Sequence, residues 1–468
     1  MPRTLRYRAL VLVAAAGIGL LADPPGAGAT DHSARLTDLR WRLDGGATMI
    51  TASLTAPVRY RTTAGPGGIV VDLWSVEGDV DRFLEAGGIV SRVSLRRLAP
   101  EVVRLEIDVR AAARFKVFTG PRLLTVAVFP ESLGVVPLPA SVAYRAMRVP
   151  TRAGRARVHV ATLDPRAQAV VIRPALGGAV IAATETTSTA ATRLEAIAAI
   201  NGNFFTRAGL PIGLIVIDGR VLSTPHPRRV VFAVDAAGRP WIGPVEFSGH
   251  LLTERGVRIP ITAVNRPPRS GGVAVYTPEF GPLTMPHSLV SLVRKDRIVG
   301  FTSGRPVIPA DGYALATAES QQHLLLGLVR GESVQVDLRL APSGIYHAVQ
   351  GGPQLVRDGQ VFIPYAWEGF GAGFYAIRTA RSAIGITQAG KVLFVTVDAH
   401  GRQSRGMNLP ELASLMRDLG AIQAMNLDGG GSATLVVGGR VVSALPRGGE
   451  RTVSSMLVAL RRPPDRSP

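Results

Sequence analysis

Val392-Leu393-Phe394-Val395-Thr396-Val397-Asp398 is the first of two segments on which the reading of this chain turns. The second is Ala421-Ile422-Gln423-Ala424-Met425-Asn426-Leu427-Asp428-Gly429-Gly430-Gly431-Ser432. The first is a continuous apolar run ending at an aspartate, the pattern of a strand buried on both faces. Gly401 and Arg402 follow in a loop. Pro410 then stands just inside a helix that runs to about Leu419, with Gly420 as its stop. Leu412, Leu415, Met416 and Leu419 form its apolar stripe. The order strand, helix, strand predicts a right-handed parallel crossover. If the two strands are neighbours, Asp398 and Asp428 end them at the same edge, and both carboxylates face one crevice. Three glycines after Asp428 allow close backbone approach to a ligand, and their successive N–H groups can form an anion-binding nest. Asn426 and Ser432 add polar groups. Ala433–Val437 and Arg440–Ala444 around Gly438-Gly439 read as a β-hairpin. The plain alternative is a glycine-rich turn with two aspartates as turn formers.

Further out, Ile200-Asn201-Gly202-Asn203-Phe204-Phe205 runs from an apolar segment into Asn-Gly-Asn and two aromatics. It is either a β-turn with core phenylalanines or a site in which Asn201 offers its amide to a sugar or phosphate. His347-Ala348-Val349-Gln350-Gly351-Gly352-Pro353 is a third polar cluster. Among the basic candidates Arg378, Arg381, Arg402, Arg405 and Arg451, Arg381 and Arg451 stand out because each precedes an apolar strand near the aspartates. Asp398-x-His400 has the form of a metal-ligand pair, yet eight histidines and no cysteine give it little support. No cofactor is expected, with a divalent metal as the alternative. Ser432 does not fit a nucleophile elbow, because the residue two places on is Thr434 and not glycine.

Together these residues resemble the phosphodiester glycosidase family, with an uncovering-enzyme-like catalytic domain that removes N-acetylglucosamine from a sugar phosphodiester. The resemblance runs through most of 144–460. It is carried by the Asn201–Phe205 stretch, Val349–Gln360, Arg381-Ser382-Ala383-Ile384-Gly385, Val397-Asp398 and Arg405-Gly406-Met407-Asn408-Leu409. Asn426-Leu427-Asp428-Gly429-Gly430-Gly431-Ser432 and Arg451-Thr452-Val453 complete it. Asp398 is followed by Ala399-His400-Gly401 where the family commonly has Asp-Gly directly, and Ser382 stands where Thr is common. The resemblance implies hydrolysis of a glycosyl 1-phosphodiester. Asp428 would be nucleophile or base, and Asp398 its partner or a ligand to a sugar hydroxyl. Asn201 and Asn426 would orient the sugar. The N–H groups of Gly429, Gly430 and Gly431, with Arg381 and Arg451, would hold the phosphate. A non-catalytic polysaccharide-binding or exopolysaccharide-assembly protein is the alternative.

Residues 30–130 read as short Val/Ile/Leu-rich strands broken by Gly and Pro clusters such as Gly65-Pro66-Gly67-Gly68. Val103, Leu105, Ile107 and Val109 alternate with Arg104, Glu106 and Asp108, so one face is buried and the other wet. Only 81–86 has a weakly helical pattern. This layout resembles the AMIN domain of secreted bacterial wall proteins, through Ile69-Val70-Val71-Asp72-Leu73, Val90-Ser91-Arg92-Val93-Ser94, Val102–Val109 and Phe115-Lys116-Val117-Phe118. The resemblance implies binding to peptidoglycan or other envelope material. Arg3, Arg6 and Arg8, the apolar run Ala9–Leu21 and Ala27-Gly28-Ala29 form a secretory signal peptide over 1–29.

The expected fold is therefore α+β overall. A small N-terminal all-β sandwich-like domain (30–130) and a linker (131–142) precede a large mixed α/β catalytic domain (143–461) containing a parallel strand–helix–strand unit. Residues 462–468 form a tail. Over 468 residues the chain has 53 Lys+Arg against 34 Asp+Glu, a net charge of +19 and no cysteine. Absent cysteine excludes disulfides, a zinc ribbon and a thiol nucleophile. All basic residues but Lys116, Lys295 and Lys391 are arginines, spread along the chain without a basic run interleaved with aromatics. Nucleic acid is thus not an expected partner. The expected partners are a sugar phosphodiester or anionic envelope glycan, and peptidoglycan through 30–130. No later segment reads as a membrane span, and the protein is expected to be exported.

Overall fold

The computed structural model describes residues 33–462 apart from 45–46, 66–67, 79, 87–89, 110–112, 121, 131–137, 168–169, 282, 284, 305, 400–403 and 447–448. The signal-peptide reading over 1–29, most of the linker, His400, Arg402 and nearly all of the tail lie outside these residues. The chain divides into two compact units, Met1–Leu133 with Thr192–Glu195, and Gly134–Ala191 with Ala196–Pro468.

The first unit contains two five-stranded sheets. One is built on Ala34–Asp44, Ala47–Leu54, Leu123–Pro130 and Ala113–Gly120, with Val76–Glu77 at its edge. The other runs Arg59–Gly65, Gly68–Trp74, Val102–Val109, Val90–Ala99 and Arg82–Glu85. Inward residues of both, among them Ile50, Leu124, Val71, Leu95 and Leu105, share one core. Val103, Leu105 and Ile107 are buried while Arg104, Glu106 and Asp108 are partly exposed. Arg104 crosses to the neighbouring strand and grips Asp72 with two bonds of 2.7 and 2.9 Å. The weak helical pattern at 81–86 is corrected: Arg82–Glu85 is a strand, held by pairing with Arg92–Leu95.

The second unit also consists mainly of strands, which overturns the expected mixed α/β domain. Across the described residues there are 36 strands and four α-helices, and only Leu409–Asp418 reaches ten helical residues. The central sheet has seven strands in the order Val142–Thr151, Gly154–Leu163, Val392–Val397, Arg381–Thr387, Ala421–Asn426, Gln354–Arg357 and Gln360–Val361. Every neighbouring pair in it is antiparallel.

The two aspartate-ending strands are therefore not neighbours. Arg381–Thr387 runs antiparallel between them, pairing Arg381 with Val397 on one side and Ala383 with Asn426 on the other. Gly385 on this inserted strand leaves room for the helix. A Cβ there would lie 2.7 Å from Met416 Cε and 3.1 Å from Ala421 Cβ. One sheet face packs on the helix through Ala383, Val395, Val397, Leu412 and Met416. The other packs through Phe394, Ile384 and Leu427 on a five-stranded sheet containing Ala198–Asn201 and Ser455–Arg461. A further five-stranded sheet carries Ile345–Gln350, and a seven-stranded sheet over 246–341 has cores of its own. No helix among the described residues is long and apolar enough to cross a membrane.

Candidate active site

The segment from Asn426 to Ala433 turns sharply because glycine permits it. Gly430 has φ +58°, and a Cβ on Gly429 would lie 2.8 Å from Ala380 O. The turn is tied down by Gly430 N–H donating to Ala380 O (2.8 Å) and by Ser432 N–H donating to Gly429 O (3.1 Å). Gly429 N–H donates to Asp428 Oδ1 (3.0 Å). The expected three-donor nest is thus reduced to one. Gly429 and Gly430 spend their N–H groups internally, and only Gly431 N–H makes no hydrogen bond to the described residues.

Asp428, Ser432 and Arg451 form a chemical unit. Arg451 Nη1 donates to Ser432 Oγ at 3.3 Å, and Ser432 and Arg451 both stand close enough to Asp428 to favour its charged form. Burial pushes the Asp428 carboxyl above its ordinary range, against the opposing pull of the Ser432 hydroxyl, the Arg451 charge and the Gly429 N–H. Asp428 and the three glycines are half-buried, Ser432 is fully buried and Arg451 is exposed. Arg451 lies 5.0 Å over the Phe205 ring, and no ion pair to a carboxylate engages it among the described residues. A half-buried carboxylate and an exposed guanidinium thus stand close together.

Arg381 is placed differently. It is 1% exposed and donates from Nε to Met407 O (3.1 Å) and from Nη2 to Phe374 O (3.2 Å) and Ile377 O (2.6 Å). Burial without a carboxylate partner lowers its pKa to about 10. Its Nη1 makes no bond to the described residues, and its Cα lies 3.7 Å from where a Gly429 Cβ would be.

Asp398 does not join this unit. Alternation along its strand sets Val392 and Phe394 on one face and Leu393, Val395 and Val397 on the helix face. Asp398 continues the Phe394 face, where His159 also sits. Its Oδ2 is 3.0 Å from His159 Nε2, and its Oδ1 accepts from Ala444 N–H at 2.8 Å. His159 Nδ1 in turn meets Tyr144 OH at 2.8 Å. Both oxygens of this 3%-exposed carboxylate are therefore committed to the chain, which is the correction to its expected place in a shared crevice. Among the described residues no group of three or more His, Asp or Glu is arranged to hold an ion.

The two asparagines are buried brackets. Asn201 Nδ2 donates to Asp428 O (2.6 Å), and its Oδ1 accepts from Ser382 Oγ (2.7 Å) and Thr434 N–H (3.2 Å). It clamps both ends of the glycine turn. Asn426 Nδ2 donates to Gly352 O (2.9 Å) and Leu427 O (2.7 Å), while its buried Oδ1 has no partner. Gln350 and Gly352 of the third polar cluster are scaffold too: Gln350 Oε1 accepts from Leu214 and His226 N–H, and Gly352 N–H bonds Asn426 O.

Two groups beside the site escaped the sequence reading. Phe204, Phe370 and Phe374 pack together with centroids 4.9–5.9 Å apart, forming an aromatic wall that continues from Phe205. Behind it Glu368, 1% exposed, accepts Gln354 N–H (2.7 Å) and Val230 N–H (3.3 Å). Burial raises its pKa to about 7 despite those donors and Arg229. The aromatic count of the 362–375 segment was the available signal for the wall; for His159, it was one histidine set within Val158 and Val160.

Residues 289–460 match the family model for phosphodiester glycosidase. The chain is 34% identical over 98 residues to the N-acetylglucosamine-1-phosphodiester alpha-N-acetylglucosaminidase of Mus musculus, and 36% identical over 98 residues to that of Homo sapiens. Each match takes 19% of this chain and 19% of the relative, so the chain spans about a fifth of the length of these curated relatives. A hypothetical protein from Synechocystis superimposes with a TM-score of 0.63 at 23% identity, over 92% of this chain and 80% of that one. A candidate exported protein from Burkholderia pseudomallei does so with a TM-score of 0.57 at 23% identity, over 96% and 99%. These two likenesses are of fold. The family match covers Arg381, Asp398, Asn426, the glycine turn with Asp428 and Ser432, and Arg451, while Asn201 lies outside it.

Proposed function

We propose that the protein hydrolyses a sugar 1-phosphodiester of the N-acetylglucosamine type. The observation that carries this reading is the Asp428–Ser432–Arg451 unit, a half-buried carboxylate beside a buried hydroxyl and an exposed arginine that closes no ion pair among the described residues. A glycosyl phosphodiester offers complementary groups: an anomeric carbon that acquires positive charge and a phosphate that keeps its negative charge. Arg451, Gly431 N–H and the free Nη1 of Arg381 are assigned to the phosphate oxygens. Asp428 attacks the anomeric carbon or activates water there, and its negative charge stabilises the oxocarbenium-like transition state. Phosphate leaves readily, so a strong general acid is not required.

The remaining sequence candidates take supporting roles in this proposal. Asn201 and Asn426 position the turn and do not touch the sugar. Asp398 anchors the segment leading to Arg451 through Ala444. The wall of Phe204, Phe205 and Phe374 supplies a flat apolar surface for one sugar face. Residues 1–29 are read as directing export, and the N-terminal sandwich as holding the enzyme to envelope material.

Incubation with the methyl diester of N-acetylglucosamine 1-phosphate tests the reading directly. The expected result is free N-acetylglucosamine, with Asp428→Asn lowering kcat by at least about a hundredfold at unchanged far-UV circular dichroism. No sugar released by the parent chain, or unchanged turnover in Asp428→Asn, refutes it.

A further inference from the structure

Exposed arginines of the second unit differ in their partners. Many close ion pairs, as Arg220 does with Glu279, Arg239 with Asp235 and Arg294 with Asp311. Arg228 and Arg357 do not. Each lies over an exposed aromatic ring, Arg228 4.7 Å from the centroid of Trp367 and Arg357 3.9 Å from that of Phe362. Trp367 is 64% and Phe362 37% exposed. Neither arginine forms an ion pair with a carboxylate among the described residues. Arg357 bonds only the neutral Gln354 Oε1, at 2.7 and 3.2 Å. A guanidinium stacked on a ring can still offer donors to an anion; in Arg357 this leaves Nη1, because Nε and Nη2 bond Gln354.

Chain connections and contacts lead from these pairs toward the Asp428 site. Phe205 under Arg451 leads to Phe204, which packs on Phe370; Arg229 covers Phe370 at 4.2 Å and is followed back in sequence by Arg228. Trp367 stands three residues before Phe370. Glu368 bonds Gln354 N–H, which ties in the hairpin carrying Arg357 and Phe362. The result is a set of guanidinium–ring pairs linked by chain and contact to the residues around Asp428.

We propose that Arg228–Trp367 and Arg357–Phe362 are subsites for an acidic glycan chain in which sugar rings alternate with phosphate groups. This rests on the reading of the Asp428 site as one for a sugar phosphodiester and extends it from a single linkage to a polymer. Apolar sugar faces would lie on the rings while the phosphates meet the guanidinium edges. A protein whose unpaired arginines recur with aromatic rings recognises both features of such a chain, and neither a neutral glycan nor a ring-free polyanion supplies both.

The test uses equilibrium binding to the full-length Asp428→Asn chain, so it does not depend on turnover. The probes are a hexamer of N-acetylglucosamine 1-phosphate units, the uncharged N-acetylglucosamine hexamer and inorganic polyphosphate. The phosphate-linked hexamer should bind at least about tenfold more tightly than either control. Adding Arg228→Gln with Trp367→Ala, or Arg357→Gln with Phe362→Ala, should weaken it by about tenfold. The single changes Arg228→Gln and Arg357→Gln, which leave the rings, serve if a double variant melts early. Unchanged affinity in the folded variants, or a control that binds as tightly as the phosphate-linked hexamer, overturns the proposal. Loss of hydrolysis in the parent chain with these binding differences intact would refute only the catalytic reading.

Discussion

Glu368 shows at the residue scale what burying a carboxylate does. Its ordinary pKa of 4.5 rises to about 7 because burial outweighs two backbone donors and the Arg229 charge. The folded chain therefore holds a proton that the unfolded chain releases near pH 4.5. The protonated group favours the fold most fully below that pH, and this contribution is lost as pH rises through about 7. In Glu368→Gln the slope should disappear, so the difference in denaturant stability between variant and parent should change across this window. A shift of this size corresponds to roughly 3 kcal/mol, and parallel pH profiles would show the proton to be absent. Arginines make a related point. Arg381 and Arg451 read alike in sequence, each before an apolar strand, but one is buried under three carbonyls and the other stands free beside Ser432. Asp428 with its glycines was legible because a strand end and three successive glycines are local features. The environment of Asp398 was not, because it depends on which strand lies beside Val392–Val397 and on the pairing of His159 with Thr396.

At the scale of elements, local signals performed well. Pro410, the apolar stripe and Gly420 place the helix within a residue of Leu409–Asp418. Asn408 and Glu411 complete a reciprocal cap, Glu411 N–H donating to Asn408 Oδ1 (3.1 Å) and Asn408 N–H to Glu411 Oε2 (3.3 Å). Glu411 also meets Arg378 at 2.6 Å. Asn408→Ala should cost about 1 kcal/mol of unfolding free energy, measured by urea titration; a loss below a few tenths would mean that packing alone holds the helix. The Gly438-Gly439 turn, with φ of +58° and +77°, closes its hairpin as its sequence says. What failed was the neighbour relation. Strand, helix and strand in succession suggest a parallel pair, and nothing local to 392–428 reveals that Arg381–Thr387 is inserted between them. The preponderance of strands was hidden for the same reason. Many are two to five residues long and become strands only by pairing with distant partners.

At the scale of the molecule, each unit has its own core, and the chain carries a net charge of +19. On the proposed reading such a charge would draw an anionic substrate in, and salt would screen that attraction. At subsaturating phosphodiester, the rate should fall severalfold between about 0.05 and about 0.5 M salt while kcat holds steady; a flat profile would confine the electrostatics to direct contacts. The strand lying between the two aspartates also shapes which bonds this protein leaves alone. Arg381–Thr387 separates the two aspartate-ending strands, and both oxygens of Asp398 are taken up by His159 and Ala444 N–H, so on the proposed reading Asp398 is not placed to hand a proton to a departing oxygen. Alcohols depart poorly from an anomeric carbon without that proton, whereas a phosphate carries its own acidity. On that reading topology becomes chemoselectivity: a linkage whose departing half is already a stable anion is favoured over an ordinary sugar–sugar bond.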